Sequence, residues 1–161
     1  MIPSKAIVYR GGVVRFDVPK HWIEKYEPEG GGTFYEDGPH TGTLRLNVLG
    51  FRIPSGQSLA THISEIMVRD GFAPFQGGLG LRRRQLSGEE DGEPLLFFRW
   101  EVLIPIEPDE FSVACFAHTV SESQRETVTT KAELEFIESS VQRAVFYQGN
   151  DCYVGTYPPN A

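Results

Sequence analysis

The sequence predicts an α+β domain in which an antiparallel sheet of about six strands carries two main helices. Three observations lead to this prediction: segments of alternating polar and apolar residues, turn residues between neighbouring segments, and two stretches with apolar residues at helical spacing. The predicted order is β-β-β-α-β-β-β-α. Because successive strands are joined by short turns, the sheet should be largely antiparallel.

The strand segments before the first helix are identified by alternation. In the clearest one, Leu44, Leu46 and Val48 lie on one face and Arg45 and Asn47 on the other. The predicted strands of this first group cover residues 13–18, 33–36 and 43–51, with a turn or short helical segment at 20–26.

The first helix is predicted over residues 58–70. Its apolar residues recur at i, i+4, i+7 and i+8 and form one stripe, and Gly71 can end the helix because glycine adopts positive φ without a Cβ clash. Three more strands are predicted after it, over residues 81–89, 95–104 and 111–119.

The second helix is predicted over residues 131–146. Thr130 and Glu133 have the three-residue spacing of a capping box, which marks the start of a helix. The predicted buried stripe of this helix comprises Leu134, Ile137, Val141, Ala144 and Val145.

The length of the chain bounds its organisation. Its 161 residues suffice for one domain of ordinary size, and no linker or change of composition divides them. We expect a single domain over 1–161, with a core at about 13–146 and an extended C-terminal tail at 150–161.

Several runs of residues resemble those of one known superfamily. They are Phe16-Asp17-Val18-Pro19-Lys20-His21-Trp22, then Phe34-Tyr35-Glu36-Asp37, the alternating strand at 44–48, and Ile137-Glu138-Ser139-Ser140-Val141 in the last helix. Together, over about 13–145, they resemble the Mog1/PsbP-like superfamily and its bacterial members of unknown function. The resemblance implies accessory or binding roles, because members include photosystem subunits, a regulator of a small GTPase, bacterial lipoproteins and chaperones of secreted effectors. It implies no catalytic residues.

The balance of charge excludes some classes of partner. Fifteen basic and 22 acidic residues give a net charge of −7, which argues against nucleic acid and anionic membrane surfaces as partners. No apolar stretch approaches the ~20 residues of a membrane helix. Since we also find no signal peptide or lipobox, we expect a cytoplasmic protein.

Residues with chemical potential form no known motif. The histidines, at 21, 40, 62 and 118, lack the spacing of metal ligands, and Gly-x-Ser-x-Gly is absent. Cys115 and His118 should point to opposite faces of a strand. We expect Cys115 and Cys152 to be two reduced thiols, although a disulfide bond between them is the alternative. We therefore expect no catalytic residue, no metal and no cofactor, which favours a non-enzymatic role.

The run Arg82-Arg83-Arg84 is the one concentrated positive patch. On a strand Arg82 and Arg84 share a face, while Arg83 points to the other and must reach solvent or a carboxylate. With Arg45 and Arg99 on the same sheet surface, these side chains would form a recognition face for an acidic partner. The alternative is that the charges protect an edge strand from pairing.

A second contact site is predicted in the loop after the first helix. Phe72 and Phe75 lie there beside Pro74 and several glycines, a composition typical of loops that bind through exposed apolar side chains.

The favoured hypothesis is a non-enzymatic binding or accessory protein that recognises another protein. A secretion-associated chaperone or an immunity-type partner is one version of it. The alternative is a small-molecule-binding protein or enzyme with a cleft between sheet and helices. A homodimer formed through an exposed strand edge is compatible with both hypotheses.

Overall fold

The computed structural model describes residues 2–155, which form two helices and two antiparallel sheets. The helices are α1 (Leu59–Asp70) and α2 (Val128–Arg143). The strands are β1 (Ser4–Tyr9), β2 (Val14–Pro19), β3 (Ile23–Tyr26), β4 (Gly32–Tyr35), β5 (Thr43–Arg52), β6 (Ala73–Phe75), β7 (Leu79–Glu90), β8 (Glu93–Ile106), β9 (Glu110–Ser121), β10 (Val145–Tyr147) and β11 (Tyr153–Gly155). The larger sheet has the order β3-β4-β5-β9-β8-β7-β6 and the smaller one the order β1-β2-β10-β11.

The larger sheet has an inner and an outer face, because successive side chains of a strand alternate. On the inner face Phe116 meets Phe16 of the smaller sheet, with ring centroids 5.2 Å apart, and Phe16 meets Phe34 at 5.4 Å. Helix α2 joins this core through Ile137 and Val141. The main core therefore lies between the two sheets and α2.

The outer face is covered at one end by α1. Leu103 and Val113, paired across β8 and β9, pack with Ile63 and Ile66 of the helix. The Ser58 side chain accepts a hydrogen bond from the Thr61 backbone N–H at the start of α1, and Gly71 ends it at φ 76°. The predicted position and end of the first helix are confirmed.

The predicted start of the second helix is wrong. Helix α2 begins one turn earlier, where the side chain of Thr127 accepts a hydrogen bond from the Thr130 N–H. Glu133 is therefore no capping residue, and it is buried. The helix also ends earlier than predicted, because the backbone at Ala144 is extended and the following residues pair with β2 and β11 as strand β10.

A single sheet of about six strands is also wrong, although the α+β class and the antiparallel pairing are confirmed. Strand β1 precedes the predicted core, and residues 23–26 form β3 rather than a turn or helical segment. Of the predicted extended tail, residues 153–155 pair with β10 and residues 156–161 lie outside the described residues. These strands pair with segments nearby in the chain, but they are only three to six residues long and lack regular polar–apolar alternation, so the sequence pattern does not reveal them.

Ser140 joins α2 to the edge of β2. Strand β10 pairs with β2 only at Val14 and Arg15, so the backbone at Asp17 needs another partner. The Ser140 hydroxyl accepts a hydrogen bond from the Asp17 N–H at 3.0 Å and donates one to the Asp17 carbonyl at 2.6 Å. The buried Ser140 side chain thus makes the two backbone hydrogen bonds of Asp17 that a neighbouring strand would otherwise make.

Replacement of Ser140 by alanine should lower the free energy of unfolding by about 2 kcal/mol, because two buried backbone groups lose their partner. Urea unfolding followed by circular dichroism measures the effect. The exposed neighbour Ser139 supplies the control, and Ser139→Ala should change stability by less than about 0.5 kcal/mol. Equal stability of both variants would contradict this role of Ser140.

Candidate functional site

The four predicted recognition arginines come together on the outer face of the larger sheet. One row across four strands runs Arg84, Arg99, Ala117, Arg45, because each residue is paired directly with the next. The adjacent row runs Arg82, Glu101, Cys115, Asn47. We call Arg45, Arg82, Arg84, Arg99 and Glu101 the arginine face.

Two of these arginines share a single carboxylate. Arg82 Nη2 lies 3.0 Å from Glu101 Oε2, and Arg84 Nε lies 2.7 Å from Glu101 Oε1. Burial by itself raises the pKa of Glu101, but the hydrogen bonds and charges of the two guanidinium groups outweigh it and hold the pKa below its usual value. Arg82 also donates to the Asp70 carbonyl at the end of α1.

Arg45 and Arg99 form no ion pair within the described part of the chain. Arg45 is exposed, whereas Nε of Arg99 is buried and has no hydrogen-bond partner. Only the small Ala117 separates the two residues in their row, so their backbones lie roughly 10 Å apart, two strand spacings. The arginine face therefore carries four guanidinium groups and one carboxylate, and half of its cations lack an acidic partner.

Arg83 points to the inner face, as predicted, and finds a carboxylate there. Its Nε and Nη2 donate to the two oxygens of Glu138 on α2, at 2.6 and 2.9 Å, and Trp100 Nε1 donates to the same carboxylate at 3.1 Å. The Arg83 hydrogen bond is the main cause that lowers the pKa of Glu138 to about 2. This arginine has a structural partner.

The alternative interpretation of the arginine run, protection of an edge strand, also has a geometric basis. Strand β6 pairs only with residues 79–81 of β7. Among the described residues no further strand covers this side of β7, so Arg82, Arg83 and Arg84 stand where it becomes the edge of the sheet.

The prediction that Phe72 is exposed is wrong. Its side chain is buried beside α1, and the guanidinium of Arg82 lies over its ring at 4.7 Å. Phe75 is half-buried against the main core. Residues 73–75 of the predicted loop form the short edge strand β6, and the two rings pack against different clusters of buried residues.

A buried polar pair on the inner face was not predicted. His118 is fully buried, its ring lies parallel to the ring of Trp22, and its Nε2 lies 3.3 Å from Glu133 Oε1. The Gly42 N–H donates to the same oxygen at 3.1 Å. Glu133 Oε2 and His118 Nδ1 are buried without a hydrogen-bond partner.

The sequence contains a signal for this pair. Glu133 precedes Ile137 and Val141 by four and eight residues, so it lies on the same face of the helix as those two residues of the predicted buried stripe. His118 alternates with Phe116 and Val120 on a strand, which places it on the apolar face. A histidine on the apolar face of a strand and a glutamate on the apolar face of a helix together indicate a buried polar pair.

A cavity of about 250 Å³ lies beside this pair. Its wall includes Glu133, and the half-exposed side chains of His21 and Glu36 belong to its lining, with His21 Nε2 3.3 Å from Glu36 Oε1. Among residues 2–155 no three His, Cys, Asp or Glu side chains lie close enough together to hold a metal ion. The remaining lining residues are Ile2, Pro19, Trp22, Val128, Thr129, Ala132 and Phe136.

Two solved bacterial structures share this fold. A crystal structure from Bacteroides thetaiotaomicron has a TM-score of 0.57 at 15% identity, and the match covers 91% of this chain and 49% of that one, so this chain spans about half of that protein. LpqN, involved in cell envelope biogenesis of Mycobacterium tuberculosis, has a TM-score of 0.58 at 13% identity, with 88% and 89% of the two chains covered. At these identities the likeness shows the fold alone.

No protein-family model and no curated protein matches the sequence. None of the helices formed by the described residues is long and apolar enough to cross a membrane.

Replacement of Arg83 by glutamine should raise the pKa of Glu138 from about 2 toward its ordinary value of 4.5. In the wild type the lowered pKa contributes stability that is complete above pH 4.5 and is lost as the pH falls toward 2. The variant should therefore lose less stability on acidification. Carboxyl-detected NMR titration measures the pKa, and Arg84→Gln, which removes a partner of Glu101 instead, should leave Glu138 unchanged.

The two cysteines should differ in reactivity. Burial raises the pKa of the half-buried Cys115 thiol on the outer face, whereas Cys152 is exposed. We expect maleimide to label Cys152 at least tenfold faster, as measured by intact mass spectrometry of the wild type and of a Cys152→Ser variant. Equal labelling rates would contradict the burial of Cys115.

Proposed function

We propose that the chain is a non-enzymatic binding protein of the Mog1/PsbP-like superfamily that recognises an acidic segment of another protein through its arginine face. One observation carries the proposal: Arg45 and Arg99 lie in one row, separated only by Ala117, on an uncovered part of the sheet, and they form no ion pair within the described chain. The α+β fold with two antiparallel sheets supports the superfamily, and the short Pro-x-x-Trp run at 19–22 agrees with it.

Carboxylates match this surface in geometry. A guanidinium group donates two parallel hydrogen bonds to one carboxylate, a geometry favoured in ion pairs. Arg99 is partly buried, so a carboxylate that reaches the accessible part of its guanidinium group would act in surroundings that water screens little. Only the small Ala117 stands between Arg99 and Arg45 in their row, and Cys115 occupies the same strand in the adjacent row, which leaves room for the backbone of a bound segment.

An acidic protein segment fits better than nucleic acid. The chain as a whole carries a net charge of −7, so its overall field would repel a long polyanion. A short run of Asp and Glu residues needs only local complementarity, which four arginines and one glutamate provide.

A secretion-associated chaperone or immunity-type role is the specific version that we propose, with the cytoplasm as its location. The similarity in fold to LpqN, which is involved in cell envelope biogenesis, makes an envelope partner the competing case. A small-molecule function has one observation in its favour, the cavity beside Trp22 and the buried Glu133.

The test is affinity capture of the tagged protein from separate cytoplasmic and envelope extracts, followed by reconstitution with the purified candidate. We expect a stoichiometric partner whose affinity falls at least tenfold in an Arg45→Gln/Arg99→Gln variant and also falls with added salt, because the contacts are ionic. Bound partner should also slow maleimide labelling of Cys115 in the Cys152→Ser background, since Cys115 lies on the same face.

The control is Arg125→Gln, which removes an exposed guanidinium that is paired with its neighbour Glu126. This substitution lowers the net charge by one unit at a residue that is not part of the arginine face, and it should leave binding intact. A partner that both variants retain equally, or retention of nucleic acid alone, would overturn the proposal.

A further inference from the structure

We propose that the cavity beside Trp22 binds a small compound with a primary ammonium group on an apolar body, anchored by the carboxylate of Glu133. The site lies on the inner side of the larger sheet, where His118 and Glu133 meet, and is separate from the arginine face. It does not depend on the proposed recognition of an acidic protein.

The first argument is the unequal use of the two carboxylate oxygens of Glu133. Oε1 is near both available donors, the Gly42 N–H at 3.1 Å and His118 Nε2 at 3.3 Å. Oε2 has none, although the side chain is only 7% exposed. A buried carboxylate oxygen without a donor is costly, so the arrangement lacks one donor.

A purely structural role explains the contacts of Glu133 Oε1 but not the buried Oε2, which has no hydrogen-bond partner. The contacts of Oε1 attach α2 to the segment at Gly42 and to β9, which accounts for a buried polar group at this position. They would be made equally well by the single oxygen of a glutamine side chain. The second oxygen belongs to a residue that lines a cavity, where a ligand can supply the missing donor.

The chemistry of the wall selects a cation with an apolar body. Pro19, Trp22, Ala132 and Phe136 provide apolar surface, and Glu36 adds a second carboxylate to the lining. No lysine or arginine belongs to this lining, so no fixed cation competes for Glu133 or would hold an anion. An indole ring in the wall also attracts cations.

The volume limits the apolar body to about one ring. A cavity of roughly 150 Å³ takes up a benzene molecule. The cavity here, at about 250 Å³, has room for one ring and a short chain that ends in an ammonium group. The lining side chains of His21 and Glu36 are half-exposed, which leaves an entrance from solvent.

The experiment is an NMR titration of the full chain with 2-phenylethylammonium, and with 2-phenylethanol as the neutral probe of similar shape. Trp22 and Trp100 are the chain's two tryptophans, so their indole signals separate this cavity from the rest of the core. We expect saturable shifts at Trp22 and at the Gly42 amide, none at Trp100, and at least tenfold weaker binding of the alcohol.

Glu133→Gln keeps the shape of the side chain and an acceptor for Gly42, and should weaken ammonium binding at least tenfold. Ala132→Leu fills the cavity from its exposed wall and should abolish binding of both probes, which keeps the test decisive if the Glu133 variant is unstable. The matched control is Glu135→Gln on the same helix, an exposed carboxylate outside this cavity, which should bind as the wild type does.

Absence of saturable shifts at Trp22 and Gly42 up to about 20 mM ammonium would overturn the proposal, since even a weak fragment site binds in the millimolar range. Equal affinity for amine and alcohol, together with unchanged binding by Glu133→Gln, would overturn it as well, because the cavity would then bind apolar groups without using the carboxylate.

Discussion

The alternation of side chains along β8 and β9 is the constraint on which both surfaces of the molecule depend. Inward side chains such as Phe116 close the core against the smaller sheet and α2. Outward ones must be covered or polar, and α1 has only 12 residues, about 18 Å of helix. It covers the row of Leu103 and Val113 and leaves the rows of Glu101 and Arg99 open. The arginine face is thus the part of the sheet that the fold cannot cover.

Strand β7 connects this open surface with both helices. Three consecutive arginines divide between the faces: Arg82 donates to the Asp70 carbonyl at the end of α1, and Arg83 pairs with Glu138 of α2. Arg84 shares Glu101 with Arg82. Arg82 and Arg83 at this edge therefore help to hold the two helices in place. Arg45 and Arg99 differ from them, because they form no ion pair in the described chain. That difference is why the unpaired arginines, and not the whole run, support recognition of a partner.

How far the sequence predicts the structure depends on the range of the interactions involved. Alternation correctly separates Arg83 from Arg82 and Arg84, and helical spacing with Ser58 and Gly71 correctly places α1, because both signals are local. Strand β10 escapes prediction because its partner β2 is distant in sequence. Strand β1 escapes it because its residues show no regular alternation, although its partner β2 is the next strand of the chain. The predicted capping role of Glu133 is wrong, because its sequence position fits both a capping box with Thr130 and the buried face of the helix. Only the observed start of α2 at Val128 shows that the second interpretation holds.

The two proposed sites stand back to back on one strand. Cys115 and Ala117 of β9 face the arginines, and His118, the next residue, faces Glu133 on the other side. Their chemistry is opposite, because one surface has two arginines that form no ion pair in the described chain and the other has a carboxylate with one oxygen that lacks a donor. Coupling between them would require β9 to shift, yet β9 is paired along its length with β5 and β8 in the centre of the sheet. We therefore expect the two sites to be occupied independently, so that a ligand at Glu133 leaves the arginine face in the same geometry.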